Sequence, residues 1–249
     1  MNTIIQCTDN SLDPQLAEVC RRVLLREAGD QPIISVSQKP ISAFGENIVV
    51  GEIGRSWISY YKQMLAGCEA APTDIIVMTE HDCMYTHEHL TWEIEDTSVF
   101  WYNSNCWLTE GPGGNHTELF GLYSYWPRRL AMSQLICDKR LLIAAITERL
   151  NILSTGGTMD RNFLGYGEPG VISERALAMV RQYADSGQPV RLEPYLKDYL
   201  TRYEHKVFTT VNPNLDIRHG SNFSGPKRGK KRTYSLPYWG KFADVMKER

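Results

Sequence analysis

The sequence predicts an α/β protein built on an open, mixed but mainly parallel sheet flanked by helices. Three observations predict it. An apolar run, a helical period and a second apolar run follow one another in the opening stretch that ends at Val36, which is the order of a βαβ unit, whose strands lie parallel. Further on, Asp74-Ile75-Ile76-Val77-Met78 is the strongest strand pattern in the chain, and it runs directly into Thr79-Glu80-His81-Asp82. Finally, 249 residues with 42% hydrophobic and 22% charged side chains can bury a substantial core, and at ~150 residues per domain they allow one large domain or two small ones. A single domain is the expectation.

Thr3 to Cys7 reads as the first strand, ending in Thr8-Asp9-Asn10-Ser11, residues that favour turns and helix caps. Leu12 to Ala28 carries Leu16, Val19, Cys20, Val23 and Leu24 at helical spacing and stops at Gly29-Asp30. Pro32 to Val36 is a second strand and Asn47 to Val50 a third apolar run. Gly51-Glu52-Ile53-Gly54 then precedes a helical pattern from Arg55 to Ala71, which Pro72 ends. The acidic cluster after Met78 is placed at the carboxyl end of a central strand, where open α/β sheets bind ligands. Aromatic residues, Gly and Asn from Trp92 to Trp126 predict an antiparallel or irregular region. Leu130 to Leu153 is helical by period, residues 154–172 read as a loop, and helices are expected over Ser173 to Ser186 and Leu192 to Tyr203. Asn212 to Trp239, rich in Gly, Pro, Asn and Lys, predicts an ordered C-terminal flap. No internal repeat suggests a solenoid or propeller.

Lys and Arg total 27 against 29 Asp and Glu, a formal charge of -2, so the chain does not bind nucleic acid through bulk charge and any polyanion site is local. No run of about 18 apolar residues is present, and MNTIIQCTDNSLD lacks the start of a signal peptide. A cytoplasmic location without a membrane partner is expected. Cys7, Cys20, Cys68, Cys83, Cys106 and Cys137 show no zinc-type spacing and read as reduced thiols in apolar positions. No GxGxxG follows the first strand, and GxxxxGK[ST], GxSxG and HExxH are absent, which lowers dinucleotide, P-loop, serine-hydrolase and zincin readings.

Glu80-His81-Asp82 is the strongest chemical signal. Carboxylates one residue apart point the same way in extended chain, and hard oxygen ligands of this kind suit Mg²⁺ or Mn²⁺. The plainer reading is an acidic turn capping a following helix. His219 lies in Arg218-His219-Gly220-Ser221-Asn222, a polar loop in which an imidazole completes a metal site or is simply a surface histidine. Lys227, Arg228, Lys230, Lys231, Arg232 and Lys241 stand in a stretch without acids, interleaved with Tyr234, Tyr238 and Trp239. Cations beside aromatic faces suit phosphates with bases or sugars, and this segment is expected to fold over an anionic ligand or contact a nucleic-acid backbone. Thr8, Asp9 and Asn10 are candidates for holding a nucleoside, or serve only as turn and cap. Lys39, just after the second strand, is a candidate phosphate contact. Trp101, Tyr102, Trp107, Tyr123, Tyr125 and Trp126 form an aromatic set that lines an acceptor cleft in part, with at least half expected in the core.

In order, these elements resemble the GT-A fold of nucleotide-sugar-dependent glycosyltransferases, over residues 1 to about 135 and 210 to 241. More narrowly, the strings GEIGRSW, TEHDCMYT, GLYSYWPRR, RHGSNFSG and LPYWGK are similar to those of small glycosyltransferases of phage and bacterial genomes. Some of that group are associated with sugar decoration of hydroxymethylated DNA bases. The resemblance implies that Glu80-His81-Asp82 stands for an Asp-x-Asp motif and that His219 is a late ligand. Because the first acidic position is Glu and not Asp, Asp82 alone carries over as a direct ligand, with Glu80 and His219 beside it in the metal set.

What the resemblance implies is a hexosyl- or pentosyltransferase that uses Mn²⁺ or Mg²⁺ and a nucleoside diphosphate sugar, with a UDP-sugar favoured. Residues 1–90 would form the nucleotide-binding part, 91–210 the acceptor part and 211–249 the basic flap. Thr8, Asp9 and Asn10 would orient the nucleoside. Lys39, Glu80, His81 and Lys241 would face the rest of the donor. Trp107, Tyr123, Tyr125, Lys227, Arg228 and Lys230 would meet the acceptor, for which a 5-hydroxymethylpyrimidine in phage DNA is favoured over a small-molecule or cell-surface glycan. An inverting reaction needs a carboxylate base, and Glu118, Asp160 and Glu168 are unranked candidates. The competing class is a non-catalytic nucleic-acid-binding module that uses the basic tail.

Overall fold

The computed structural model describes residues 1–113, 119–125, 130–154, 168–171, 202–220 and 231–247. The α/β class and mainly parallel sheet expected from the sequence are what it shows. Strand β1 (Thr3–Thr8) is buried along its whole length because it has a parallel partner on each side, β2 (Ile33–Ser37) and β4 (Ile75–Glu80). Helix α1 (Pro14–Ala28) joins β1 to β2. Asp13 caps it, Oδ1 accepting from Gln15 N and Leu16 N at 3.0 Å each, and Gly29 at φ 57° ends it. Leu16, Val19, Val23 and Leu24 form its buried face, each contributing about 1.5–3 kcal/mol by leaving water.

Strand β3 (Glu46–Val49) lies parallel to β2 at the sheet edge. Helix α2 (Trp57–Ala70), capped by Ser56, packs on β1 and β2 so closely that a Cβ at Gly67 would stand 2.6 Å from Ile5 Cγ2. After β4 the chain turns through His81 and Asp82 into β5 (Cys83–Met84) and the short α3 (His87–Leu90). Then come β6 (Phe100–Asn103), β7 (Cys106–Glu110), β8 (Tyr123–Tyr125), β9 (Leu135–Asp138) and α4 (Lys139–Ser154). Strands β10 (His205–Phe208), β11 (Asn214–Arg218) and β12 (Lys231–Thr233) and helix α5 (Phe242–Val245) follow.

The described residues form two sheets, a seven-stranded one in the order β10-β6-β9-β4-β1-β2-β3 and a five-stranded one in the order β12-β8-β7-β11-β5. In the first, only β9 runs against its neighbours. α2 and α4 cover one face of the large sheet, while α1 also packs on the small sheet through Leu16, Cys20, Met84, Leu215 and Ile217. All six cysteines are buried free thiols, so they serve as small apolar fillers.

Two expectations need correction. The helical period read over Leu130 to Leu153 hides a strand: Leu135, Ile136 and Cys137 are fully buried between β4 and β6. The helix begins only at Lys139, where Asp138 Oδ1 accepts from Arg140 N at 2.8 Å and Leu141 N at 3.2 Å. A short apolar run fits either period, and burial on both faces decided it. The C-terminal flap is likewise corrected at its start, since β11 is buried throughout between β5 and β7. The helices expected over Ser173 to Ser186 and, but for Arg202 and Tyr203, Leu192 to Tyr203 lie outside the described residues.

Candidate metal centre

The small sheet explains how two distant residues meet. Strand β11 pairs antiparallel with β5 in a register that sets Asp216 against Cys83, and Ile217 N donates to Asp82 O at 2.8 Å. Continuing that register sets Ile217 against Asp82, and His219, two residues further along, is the diagonal neighbour of Asp82: its Nε2 lies 3.2 Å from Asp82 Oδ2. Both residues are 6% exposed. Burial by itself pushes the Asp82 carboxyl up, but the His219 hydrogen bond and the neighbouring His81, His219 and Arg218 charges outweigh it and hold the group below the usual carboxylate range. The carboxyl edge of β4 therefore holds a desolvated carboxylate with an imidazole against it.

His81 flanks the pair, its ring centroid 6.0 Å from that of His219 at 61°. One donor atom each from His81, Asp82 and His219 lie within 4.8 Å of one another, as do donors from Glu80, Asp82 and Cys83. A carboxylate with imidazoles at such spacing fits a divalent cation, because two adjacent ligands each about 2.1 Å from an ion stand roughly 3 Å apart. Burial lowers the His81 pKa, with Asp82 and Asp9 opposing that shift.

Around this centre the loops after β1 and β2 are fixed by side chains. His81 Nδ1 meets Thr8 Oγ1 at 2.5 Å, and Asp9 Oδ1 lies 3.9 Å from the same nitrogen. Asp9 in turn pairs with Arg55 at 3.0 Å and accepts from Ser11 N and Oγ at 3.0 and 2.7 Å. Burial acts against its ionisation, while Ser11, His81 and Arg55 prevail and lower its pKa. Asn10, at φ 61°, accepts through Oδ1 from Gln38 N at 2.9 Å and Lys39 N at 2.8 Å. Its amide thus joins the loops after β1 and β2. Lys39 is at the same edge, in an exposed pair with Glu52 at 3.6 Å, which is worth little in water.

Sequence reasoning missed Arg55, Gln63 and Tyr60. Gln63 Nε2 donates to Thr8 O at 2.7 Å and to Val36 O at 3.0 Å, clamping the carboxyl ends of β1 and β2. Tyr60 Oη donates to Glu80 Oε1 at 3.3 Å. Of these only Arg55 had a signal, as part of the GEIGRSW string.

Other candidates stand elsewhere. Tyr123 is fully buried with Phe242 in the α1-facing core, and Trp101 and Tyr102 are also core. An acceptor contact by Tyr123 is therefore not available in this arrangement. Trp107 and Tyr125 form a ring pair 5.3 Å apart, but Trp107 is in register with Leu215, away from the Arg218 end of β11. Glu168 belongs to a turn whose Gly170 O receives His205 Nδ1 at 2.8 Å, at the amino end of β10 and so at the opposite edge of the sheet from Asp82. The geometry thus does not bring Glu168 to the centre. Lys241 follows Trp239, whose Nε1 donates to Pro213 O at 2.6 Å, before the start of β11, and among the described residues it makes no contact with the centre. Glu118, Asp160, Trp126, Lys227, Arg228 and Lys230 lie outside the described residues.

No protein-family model matches the chain and no curated protein does. In overall fold it is similar to the apo form of the glycosyltransferase GlyE from Streptococcus pneumoniae TIGR4, with TM-score 0.45 and 9% identity over 99% of this chain and 59% of that one. It is also similar to a glycosyltransferase involved in the glycosylation of the major capsid of PBCV-1, with TM-score 0.40 and 9% identity over 87% and 93% of the two chains. The inositol-1-phosphate CTP transferase from T. maritima gives TM-score 0.41 and 9% identity over 90% and 92%. The chain spans 45% and 59% of the length of the two GlyE chains it matches. These likenesses assign no residue of this chain a role. No described helix is long and apolar enough to cross a membrane.

Proposed function

We propose that this protein is a metal-dependent glycosyltransferase that moves a hexosyl or pentosyl group from a nucleoside diphosphate sugar to a hydroxyl acceptor. The observation that carries this reading is the buried Asp82–His219 pair, 3.2 Å apart, where β4 ends beside its parallel neighbour β1. That edge of an open α/β sheet receives nucleotides and their phosphates. Asp82 and His219, with Glu80 beside them, would hold Mn²⁺ or Mg²⁺, and a cation bound there supplies neutralisation of the charge on a departing diphosphate. Arg55, with a side chain 35% exposed, and Lys39 provide further positive charge at the same edge. Thr8 and Asp9 fix His81, while Asn10 and Gln63 hold the two loops in place, so the donor meets a preorganised surface.

For the donor we infer a UDP-sugar, and for the acceptor a hydroxymethylated pyrimidine in DNA. The sequence resemblance supports both, and the exposed Lys231 and Arg232 on the edge strand β12 suit a polyanion. The first test is a thermal-shift screen of UDP- and GDP-sugars with Mn²⁺, since a ligand of the native state raises its apparent stability. Asp82→Ala should abolish transfer and donor hydrolysis; full turnover by that variant in Mn²⁺ or Mg²⁺ would sink the reading. Steeply salt-dependent DNA binding with no response to any nucleotide sugar would favour a binding module instead. Equal labelling of hydroxymethylcytosine DNA and unmodified DNA would reject the hydroxymethyl acceptor.

A further inference from the structure

His81 sits between the two acidic residues of the motif, and the structure gives it more than a spacer's role. Its Nδ1 is engaged by Thr8 Oγ1 at 2.5 Å, the Asp9 carboxylate stands 3.9 Å behind, and Arg55 holds Asp9 at 3.0 Å. Histidines that bind metals are characteristically oriented in this way, with the second ring nitrogen donating to an oxygen that fixes tautomer and ring plane. In the tautomer that donates Nδ1–H to Thr8, the Nε2 lone pair is left for a cation. A donor atom of His81 falls within 4.8 Å of donors from both Asp82 and His219, and the rings of His81 and His219 are inclined at 61° instead of stacking. Glu80, by contrast, has Oε1 engaged by the Tyr60 hydroxyl at 3.3 Å.

We propose that His81 is a third protein ligand beside Asp82 and His219, and that this two-imidazole, one-carboxylate set selects a first-row transition ion such as Mn²⁺, Co²⁺ or Zn²⁺ over Mg²⁺. The inference rests on the metal-centre part of the reading above and deepens it. Imidazole nitrogen suits borderline transition ions, whereas Mg²⁺ takes oxygen ligands and retains its waters. A set of two nitrogens and one carboxylate therefore binds Mg²⁺ poorly without excluding the others. Thr8 and Asp9 act as positioning residues, holding the His81 ring where its nitrogen can reach the ion.

The test uses the full chain, stripped with chelator, and metal ions alone without any nucleotide. Titration calorimetry should show one Mn²⁺ or Co²⁺ per chain and Mg²⁺ at least about tenfold weaker. Pulsed electron paramagnetic resonance of the Mn²⁺ form should show nitrogen coupling from two imidazoles. His81→Gln should remove one of these couplings and weaken Mn²⁺ about tenfold or more, and Thr8→Val, which keeps the imidazole, should weaken it by on the order of tenfold. Circular dichroism in chelator checks that both variants fold. Unchanged affinity and nitrogen coupling in His81→Gln would overturn the proposal, as would Mg²⁺ binding as tightly as Mn²⁺. If Asp82→Asn loses Mn²⁺ while His81→Gln keeps it unaltered, the metal-centre reading survives and the role of His81 falls. If the wild-type chain binds no divalent ion, both fall.

Discussion

Nε2 of His219 lies 3.2 Å from Oδ2 of Asp82 across 137 residues of chain, and both side chains are almost wholly out of water. A buried carboxylate so placed is stabilised by its partner and costly to leave alone. Asp82→Ala should therefore destabilise the metal-free protein as well as abolish transfer, by about 1.5–3 kcal/mol for the lost charge-assisted hydrogen bond. Asp82→Asn, which keeps an acceptor for the imidazole, should lose transfer with a smaller fall in urea midpoint. Equal stability of wild type and Asp82→Ala would show that the pair holds nothing together.

Acid stability should report on His89. This residue is 0% exposed and stacks between Tyr85 and Phe208 at 5.4 and 5.9 Å. Its Nε2 has no hydrogen-bond partner among the described residues, and burial pushes its pKa down to about 3. The unfolded chain takes up this proton near pH 6.5 while the folded chain does not. Between about pH 6.5 and 3 the unfolded state thus binds more protons, so stability falls with falling pH by up to about 1.4 kcal/mol per unit. His89→Phe, which keeps the stack, should flatten this slope in urea titrations run across the same range. An identical slope in the variant would count against it.

Gly67 is where α2 touches the sheet. A Cβ there would meet Ile5 Cγ2 at 2.6 Å and Val36 Cγ2 at 3.2 Å. Alanine gains up to about 1 kcal/mol of helix propensity, but overpacking against two fully buried strands should outweigh it, giving a net loss of about 1–2 kcal/mol. A stabilised Gly67→Ala variant in chemical denaturation would contradict the close packing of α2.

The C-terminal segment is anchored by two adjacent aromatic residues. Trp239 is buried and donates to Pro213 O at 2.6 Å, and the Tyr238 hydroxyl donates to the buried Glu27 Oε2 at 2.6 Å. Trp239→Ala should cost about 3–5 kcal/mol and expose α5 to limited proteolysis, whereas Tyr238→Phe should cost nearer 1 kcal/mol. Unaltered protease resistance of Trp239→Ala would mean that α5 is held by other contacts.

Much of this protein was legible from order and period alone. β1, α1, β2 and β4 were marked by apolar runs and by stop signals such as Gly29 and Pro72, because strands buried on both faces and an amphipathic helix leave local patterns. The acidic turn at the end of β4 was legible for the same reason, and the family resemblance already grouped Asp82 with His219. What the pattern could not decide depended on contacts distant in sequence. Leu135 to Asp138 became a strand only because β4 and β6 take it between them, and β11 became core and not flap because β5 and β7 flank it. That same pairing of β11 with β5 brings His219 to Asp82. Strand register is set by which faces are buried across the whole sheet, and no local run of residues carries that information. Gln63 and Tyr60 were hidden for the same reason: their partners Thr8 and Glu80 are assigned by packing.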